Sequence, residues 1–579
     1  MSLLQALTTQ AVLRPVDAAL ANTLQRLAPA TPDAVLAAAA LATLAVAQGH
    51  AALDVAQPHL LTDVALAWPD AQVWQQQLEA SPWVATPDAT GTAADAAPLV
   101  FEHGLLYLRR YREYERRLAL RLQHLSAQPC GGADGANVDA LFAQLFTQRG
   151  APDAQAQAAA LALRHALVLI TGGPGTGKTT TIARLLVLRI AQALHAGKPL
   201  PRIAMTAPTG RAAERMAESL QRAVQQMRNA AIDPALLAAL PSTASTLHRL
   251  LGVIPEAPQF RHHADNPLAC DIVVVDEASM VDLPLMCKLA EAVADDAQLI
   301  LLGDPDQLPS VEAGDVLASI LRLHANRVHL TRGWRQSETL QLAPLAEAMR
   351  TGDASASLAL LRGGGLSNVQ FHEDALDPLH TSGLDLLAHF RQLATASDPA
   401  AALAQINHVR LLTALRDGPQ GARGLNARIE AQLLGQRVGH APAWFPGRLV
   451  LITENNYRHN LFNGDVGICL PDAAGHACVW FASSDGVRGF HPASLPAHES
   501  AFAMTVHKAQ GSEFDSVYLQ LPARDARVLS RELLYTAITR ARKALHIAGN
   551  AAVISTALAR HANRVSGLAA RLAMVPTAG

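Results

Sequence analysis

Ala166-Leu-Val-Leu-Ile170 leads through Thr171 into Gly172-Gly-Pro-Gly-Thr-Gly-Lys-Thr179, and then into Thr180-Thr-Ile-Ala-Arg-Leu-Leu-Val-Leu188. An apolar run, a glycine-rich turn and a stretch of helix formers make the strand–loop–helix context of a phosphate-binding loop. The glycines let backbone N–H groups turn inward around an anion, and the helix adds its positive end. Gly172, Gly173, Pro174, Gly175, Thr176, Gly177, Lys178, Thr179 and Thr180 are the candidate phosphate cradle. Lys178 is expected to reach the β- and γ-phosphates and Thr179 to ligate Mg²⁺.

Outward from this loop, strands and helices alternate over 137–345. The short apolar runs are Leu167–Ile170, Ile203–Thr206, Ile272–Val275 and Leu299–Leu302. Each ends at a polar or glycine-bearing motif, the pattern of a parallel sheet with ligand residues at its strand ends. A second α/β pattern covers 346–579. It is interrupted at about 430–500 by short alternating runs with Gly, Asn and Asp turns, which read as a small inserted β-barrel. Residues 1–125 read as a mostly helical N-terminal domain. Within it, Leu108-Arg-Arg-Tyr-Arg-Glu-Tyr-Glu-Arg-Arg117 reads as a solvated helix with paired charges, in preference to a docking surface.

The chain has 579 residues, room for roughly three or four domains. Apolar residues make up 50% and aromatics 4%, which favours helix-rich α/β layers over an all-β fold. The net charge of −2 leaves room for a local basic cleft, so nucleic-acid binding has to be argued from local sequence. Five scattered cysteines without a CxxC pair suit a reducing cytoplasm and argue against a disulfide framework or zinc site. Met1-Ser-Leu-Leu-Gln-Ala-Leu7 lacks a signal-peptide pattern. The longest apolar stretch, Ala34–Ala47, is short of the roughly 20 residues that span a bilayer, so no membrane segment is expected.

Two more strand ends carry chemistry. Asp271-Ile-Val-Val-Val-Asp-Glu277 ends in adjacent carboxylates. Asp276 can hold Mg²⁺, and Glu277 can orient and deprotonate an attacking water. In Leu301-Leu-Gly-Asp-Pro-Asp-Gln-Leu-Pro309, Gln307 can bond a γ-phosphate or water, while Gly303, Asp304 and Pro305 build the turn. Arg335 in Thr331-Arg-Gly-Trp-Arg-Gln336 and Arg540 in Tyr535-Thr-Ala-Ile-Thr-Arg540 are candidates to complete the site from outside. Pro208 and Thr209, Thr246 and His248, and Thr505 and His507 lie in polar loops suited to phosphate and sugar contacts on a single strand, although each such loop is more commonly a helix cap.

Taken in order, the P-loop, Ala207-Pro-Thr-Gly-Arg-Ala-Ala213, Thr246-Leu-His-Arg-Leu-Leu-Gly252, Val275-Asp-Glu-Ala-Ser-Met280, Gly303-Asp-Pro-Asp-Gln-Leu308, Thr505-Val-His-Lys-Ala-Gln-Gly-Ser-Glu513 and Tyr535-Thr-Ala-Ile-Thr-Arg-Ala541 resemble superfamily 1 helicases of the RecD type, the alpha subunit of bacterial exodeoxyribonuclease V. Trp444-Phe-Pro-Gly-Arg448 and Phe462-Asn-Gly-Asp-Val-Gly467 resemble the same type. Gly49-His50 and Tyr107–Tyr111 carry a looser match. The resemblance implies two RecA-like P-loop domains with parallel sheets, an SH3-like barrel insert, and a small strand-splitting pin near 252–268. It implies ATP and Mg²⁺, 5′→3′ translocation on single-strand DNA, and a heterotrimer with two larger helicase–nuclease subunits of the RecB and RecC type. It also implies that Gln155 reads adenine, although Gln155 and Gln157 both fit from sequence. A stand-alone helicase of the same motor class and a P-loop switch that does not translocate are the competing readings.

Overall fold

The computed structural model describes residues 2–87, 97–129, 138–146, 153–322, 326–331, 340–380, 385–456, 458–483, 486–562 and 564–574. A six-stranded sheet has the order Arg327–Leu330, Leu167–Gly172, Gln298–Gly303, Ile272–Val275, Ile203–Ala207, Ser245–Thr246, and every pairing is parallel. Its four inner strands read as largely apolar runs because both faces are covered. Leu167, Leu169, Val273 and Leu299 enter one core, whereas Val168, Ile170, Val274 and Ile300 enter the other. Side chains alternate across a strand, so one run supplies both cores. All the strand C-termini reach one edge, where Thr171 pairs with Gly303 and Leu330 with Gly172.

The second parallel sheet has the order Val369–Glu373, Ala541–Gly549, Phe514–Gln520, Val409–Thr413, Ala503–Thr505. Between Val409–Thr413 and Ala503–Thr505 the chain forms a five-stranded antiparallel sheet, ordered Gly486–Phe490, Ala477–Ser483, Val466–Pro471, Leu449–Ile452, His498–Ser500. The expected small β insert is thus present as this sheet, and among the described residues no pairing joins its two outer strands to close it into a barrel.

The N-terminal region is helical, as expected, and also holds a four-stranded sheet that the sequence did not reveal. Two of its strands, Leu53–Asp54 and Val84–Ala85, have only two residues each, too short for a legible period. The apolar helix Asp33–Ala47 is buried in the core of this region. Among the described residues no helix is long and apolar enough to cross a membrane.

The charged stretch at 108–117 departs from its reading as a solvated helix. It opens the helix Arg109–Ala127, whose Leu118, Leu122 and Leu125 belong to a core of the six-stranded sheet. Arg112 pairs with Glu102 and Glu113, and Arg117 with Glu291. Glu115 is 0% exposed and accepts bonds from Ser566 Oγ (2.7 Å), Gly567 N (3.1 Å) and Tyr107 Oη (3.1 Å). Arg571 pairs with both Glu102 and Glu115. The charges therefore fasten the C-terminal segment and the first parallel domain to the N-terminal region.

Candidate active site between the two parallel sheets

The first parallel sheet delivers three loops to one edge. After Leu167–Gly172 the backbone turns with φ of 155° at Gly172, 77° at Gly175 and 86° at Gly177, values that glycine adopts readily. Helix Lys178–His195 begins without a side-chain cap, leaving its first N–H groups open to an anion. Lys178 Nζ donates to the carbonyls of Gly172 (2.6 Å) and Gly173 (3.2 Å), and Thr176 Oγ1 to that of Gly173 (2.9 Å). The lysine thus lies folded over the mouth of its own loop.

Asp276 and Glu277 follow Ile272–Val275. Asp276 Oδ1 accepts from Glu277 N at 2.8 Å, and Glu277 takes a left-handed φ of 51°. That conformation costs a non-glycine residue of order 1–3 kcal/mol and is typical of a constrained site. Burial, and then the neighbouring Glu277 charge, push the Asp276 carboxyl up, while Lys178 opposes them. A carboxylate so placed gains from a cation. The Thr179 hydroxyl and the Asp276 carboxylate are hard oxygen donors, which suits Mg²⁺ better than a thiophilic ion.

The third loop joins the second parallel domain. Asp304 is 1% exposed and accepts from Gln307 Nε2 (3.0 Å) and from Tyr535 Oη (3.2 Å). Gln307 Oε1 in turn accepts from Arg540 Nη2 at 2.9 Å. Arg540 is held by the carbonyls of Thr536 (3.1 Å) and Ser512 (3.2 Å). Burial pushes the Arg540 guanidinium down, and the charges of Glu277 and Glu513 act against that shift. Leu308 N donates to Thr536 Oγ1 (2.8 Å) and Gln510 Nε2 to Leu308 O (3.0 Å), so backbone also crosses between the domains. Arg215 closes one side, donating to Gly511 O (2.7 Å) and pairing with Glu513 (2.6 Å).

One cavity of ≈ 500 Å³ opens among these elements, and its wall includes Gln155, Pro174–Thr180, Asp276, Glu277, Gln307, Gly511, Glu513 and Arg540. Gln155, not Gln157, is the glutamine at this wall. Gln155 is 6% exposed and donates to Thr176 O at 3.2 Å, whereas Gln157 is solvent-exposed. Arg335 lies outside the described residues. Sequence reading missed Tyr535 and Arg215, and gave Asp304 only a turn-building role. Tyr535 could have been found, because it begins the motif that ends at Arg540 and opens toward the same site.

The six single-strand candidates are more dispersed. Thr209 caps helix Gly210–Asn229 and Thr246 caps helix Leu247–Leu251, so both make the cap contacts that such residues usually make. Strands Ile203–Ala207 and Ser245–Thr246 are adjacent, which puts Pro208 and Thr209 beside Thr246. A Cβ at Gly511 would lie 3.4 Å from Thr209 Oγ1, so the loop after Thr505 crosses to the same edge. His248 packs edge-on against Phe260 at 5.7 Å. Thr505 Oγ1 accepts from Lys508 N at 3.4 Å. Burial, and then Arg564, push the imidazole of His507 down to about 4, so it is neutral at pH 7. In the expected pin, Val253 bridges Phe260 and His263 bridges Asn266 in a short antiparallel turn.

The profile described as an AAA domain matches residues 155–313. The UvrD-like helicase C-terminal domain matches 500–548, and the N-terminal domain of RecBCD enzyme subunit RecD matches 9–107. The chain is similar to RecBCD enzyme subunit RecD of Mycolicibacterium smegmatis, with 40% identity over 99% of both chains. It is also similar to the ATP-dependent RecD2 DNA helicase of Deinococcus radiodurans, with 33% identity over 81% of this chain and 58% of that one. Among solved structures it is similar to Bacteroides Pif1 bound to ssDNA, with 17% identity, 69% of this chain and 92% of that chain covered, and a TM-score of 0.38.

Proposed function

The chain belongs to the RecD family of helicase subunits, and from that premise we propose that it is an ATP-hydrolysing DNA helicase that moves 5′→3′ along single-strand DNA. It does so as one subunit of a heterotrimeric helicase–nuclease acting in double-strand break repair and recombination. The observation that carries this reading is the Arg540–Gln307 hydrogen bond. It brings a cation of the second parallel domain to the cavity of the P-loop in the first. A nucleotide held there would couple its hydrolysis to the closing and opening of two domains, as a motor requires and a simple switch does not.

In this mechanism the N–H groups of Gly173 and Gly175–Thr180 and the Lys178 ammonium bind the β- and γ-phosphates. Lys178 gives up its contacts to Gly172 and Gly173 to do so. Thr179 and Asp276 would hold Mg²⁺, which when bound neutralises phosphate charge. Glu277 orients the attacking water and accepts its proton. Gln307, fixed between Asp304 and Arg540, senses the γ-phosphate. Arg540, and Arg335 as a second candidate, stabilise the charge that develops on it. Pro208, Thr209, Thr246, His248, Thr505 and His507 are the proposed contacts to the strand, spread over both domains so that their relative motion advances the chain along DNA.

Two larger subunits of the RecB and RecC type are the proposed partners, with nuclease chemistry assigned to them and the assembly placed in the cytoplasm. The match over nearly the whole length of the mycobacterial subunit supports this over a stand-alone helicase. The test is unwinding of duplexes carrying a 5′ or a 3′ single-stranded tail, with ATP and Mg²⁺, by the chain alone and with its partners. Selective opening of the 5′-tailed duplex is expected. Opening of only the 3′-tailed duplex, or ATP turnover that DNA does not stimulate, would overturn the reading.

A further inference from the structure

Beside the phosphate loop the cavity wall carries a side-chain pair that the mechanism above does not use. Gln155 lies in the first turn of helix Ala154–Ala162, where Asp153 caps its N–H at 2.9 Å. Its amide has two partners of opposite kind. Nε2 donates to the Thr176 carbonyl at 3.2 Å, and Oε1 accepts from Arg184 Nη1 at 3.2 Å. Arg184 comes from the P-loop helix, is half-buried, and lies over the ring of Phe146 with its guanidinium carbon 5.5 Å from the centroid.

These partners fix which way the amide faces. Turned over, it would set its oxygen against the Thr176 carbonyl and its NH₂ against a guanidinium, which has no acceptor. Both contacts would be lost and replaced by repulsion. The Thr176 carbonyl alone could be satisfied by a small rotation, so Arg184 is the stronger constraint on the oxygen end. Its stacking on Phe146 keeps it in place.

We propose that Arg184 is a positioning residue for base selection, locking the Gln155 amide so that it offers one N–H beside one lone pair to a purine edge. Adenine presents an acceptor (N7) beside a donor (the N6 amino group), whereas guanine presents two acceptors (N7 and O6). A locked amide complements the first and opposes the second. A freed amide loses the distinction. This inference rests on the cavity being the ATP site and deepens that reading.

The experiment is fluorescence titration of the full-length chain, in Mg²⁺ buffer, with mant-ADP and mant-GDP. The wild type is compared with Gln155→Ala, Arg184→Ala, Arg184→Met and Arg184→Lys. The wild type is expected to prefer the adenine nucleotide by about tenfold, the scale of one well-placed hydrogen-bonded pair. Gln155→Ala, Arg184→Ala and Arg184→Met should each bring the ratio close to one. Arg184→Lys, which keeps a donor, should retain part of the preference. Arg184→Met keeps the stem packed on Phe146, so it decides the matter if the alanine variant does not fold. Loss of preference in Gln155→Ala with full preference in Arg184→Ala and Arg184→Met overturns the role of Arg184 and leaves the ATP site standing. Equal weakening of both nucleotides by the Arg184 variants, at an unchanged ratio, also overturns it. No preference in the wild type, or a full preference in Gln155→Ala, removes the base-reading premise itself.

Discussion

The two parallel sheets are built alike and equipped differently. Both bury their strands between helices and present strand ends at an edge. The first sheet carries the P-loop, the Asp276–Glu277 pair and the Asp304–Gln307 loop on its own strand ends. The second lends the first sheet a helix and a loop, bringing Arg540, Gly511 and Glu513 to a cavity that is mostly not its own, and Tyr535 to Asp304. In the proposed function one sheet holds the nucleotide site, and the other completes it. Such a site can exist in its full form only while the domains are together, which would let hydrolysis drive movement.

The comparison breaks most completely at the first sheet. Lys178→Gln removes the ammonium at the mouth of the P-loop and should lower ATP turnover by at least about 10⁴-fold. Steady-state hydrolysis with saturating single-strand DNA checks this, and near-normal turnover would end the motor reading. Asp304→Asn tests the joint between the sheets. It leaves Gln307 and Tyr535 competing for one carbonyl, with an NH₂ facing donors, and should lower turnover by about tenfold at little cost in nucleotide affinity. An unchanged rate would mean that the Tyr535–Asp304–Gln307–Arg540 chain is only packing.

Two smaller effects concern stability. Arg571→Ala leaves Glu102 and the fully buried Glu115 without their shared cation and should cost about 3 kcal/mol. Hydrogen exchange over 99–127 should rise while the P-loop strand stays protected. In the second sheet, His372, Tyr518 and His546 stack, with ring centroids 5.4–5.9 Å apart. Burial, and then His372, push His546 down to about 4 from its ordinary 6.5. Its folded form stays neutral where the unfolded chain takes up a proton. The stability from this group is thus full above about pH 6.5 and falls as the pH drops toward 4. The loss should be about 1–2 kcal/mol, allowing for residual solvation, and His546→Phe should flatten it in urea unfolding at pH 7.5 and 5.

The strands and the P-loop were legible because their signals are local. Runs such as Ile272–Val275 are apolar throughout because both faces are buried, and the glycine loop is contiguous. What the sequence hid depends on residues that meet from far apart. Glu115 looked like a surface charge because its partner, Arg571, is distant in the chain, and the tie from exposed Arg117 to Glu291 was hidden for the same reason. Gln155 and Gln157 were equivalent in sequence, and only the turn of a helix separates the buried one from the exposed one. Asp304 passed as a turn residue because the hydroxyl that bonds it comes from Tyr535, on the other parallel domain. Thr209 and Thr246 were read as possible strand contacts, and their caps show how much of such a loop helix geometry already explains.

The central claim is that the second domain completes the first domain's site, and Arg540→Ala tests it most directly. In the full-length chain with saturating single-strand DNA, ATP turnover should fall by about 10³-fold while the affinity for mant-ADP stays within a few fold. Near-normal turnover, or a large loss of nucleotide affinity with turnover retained, would contradict it.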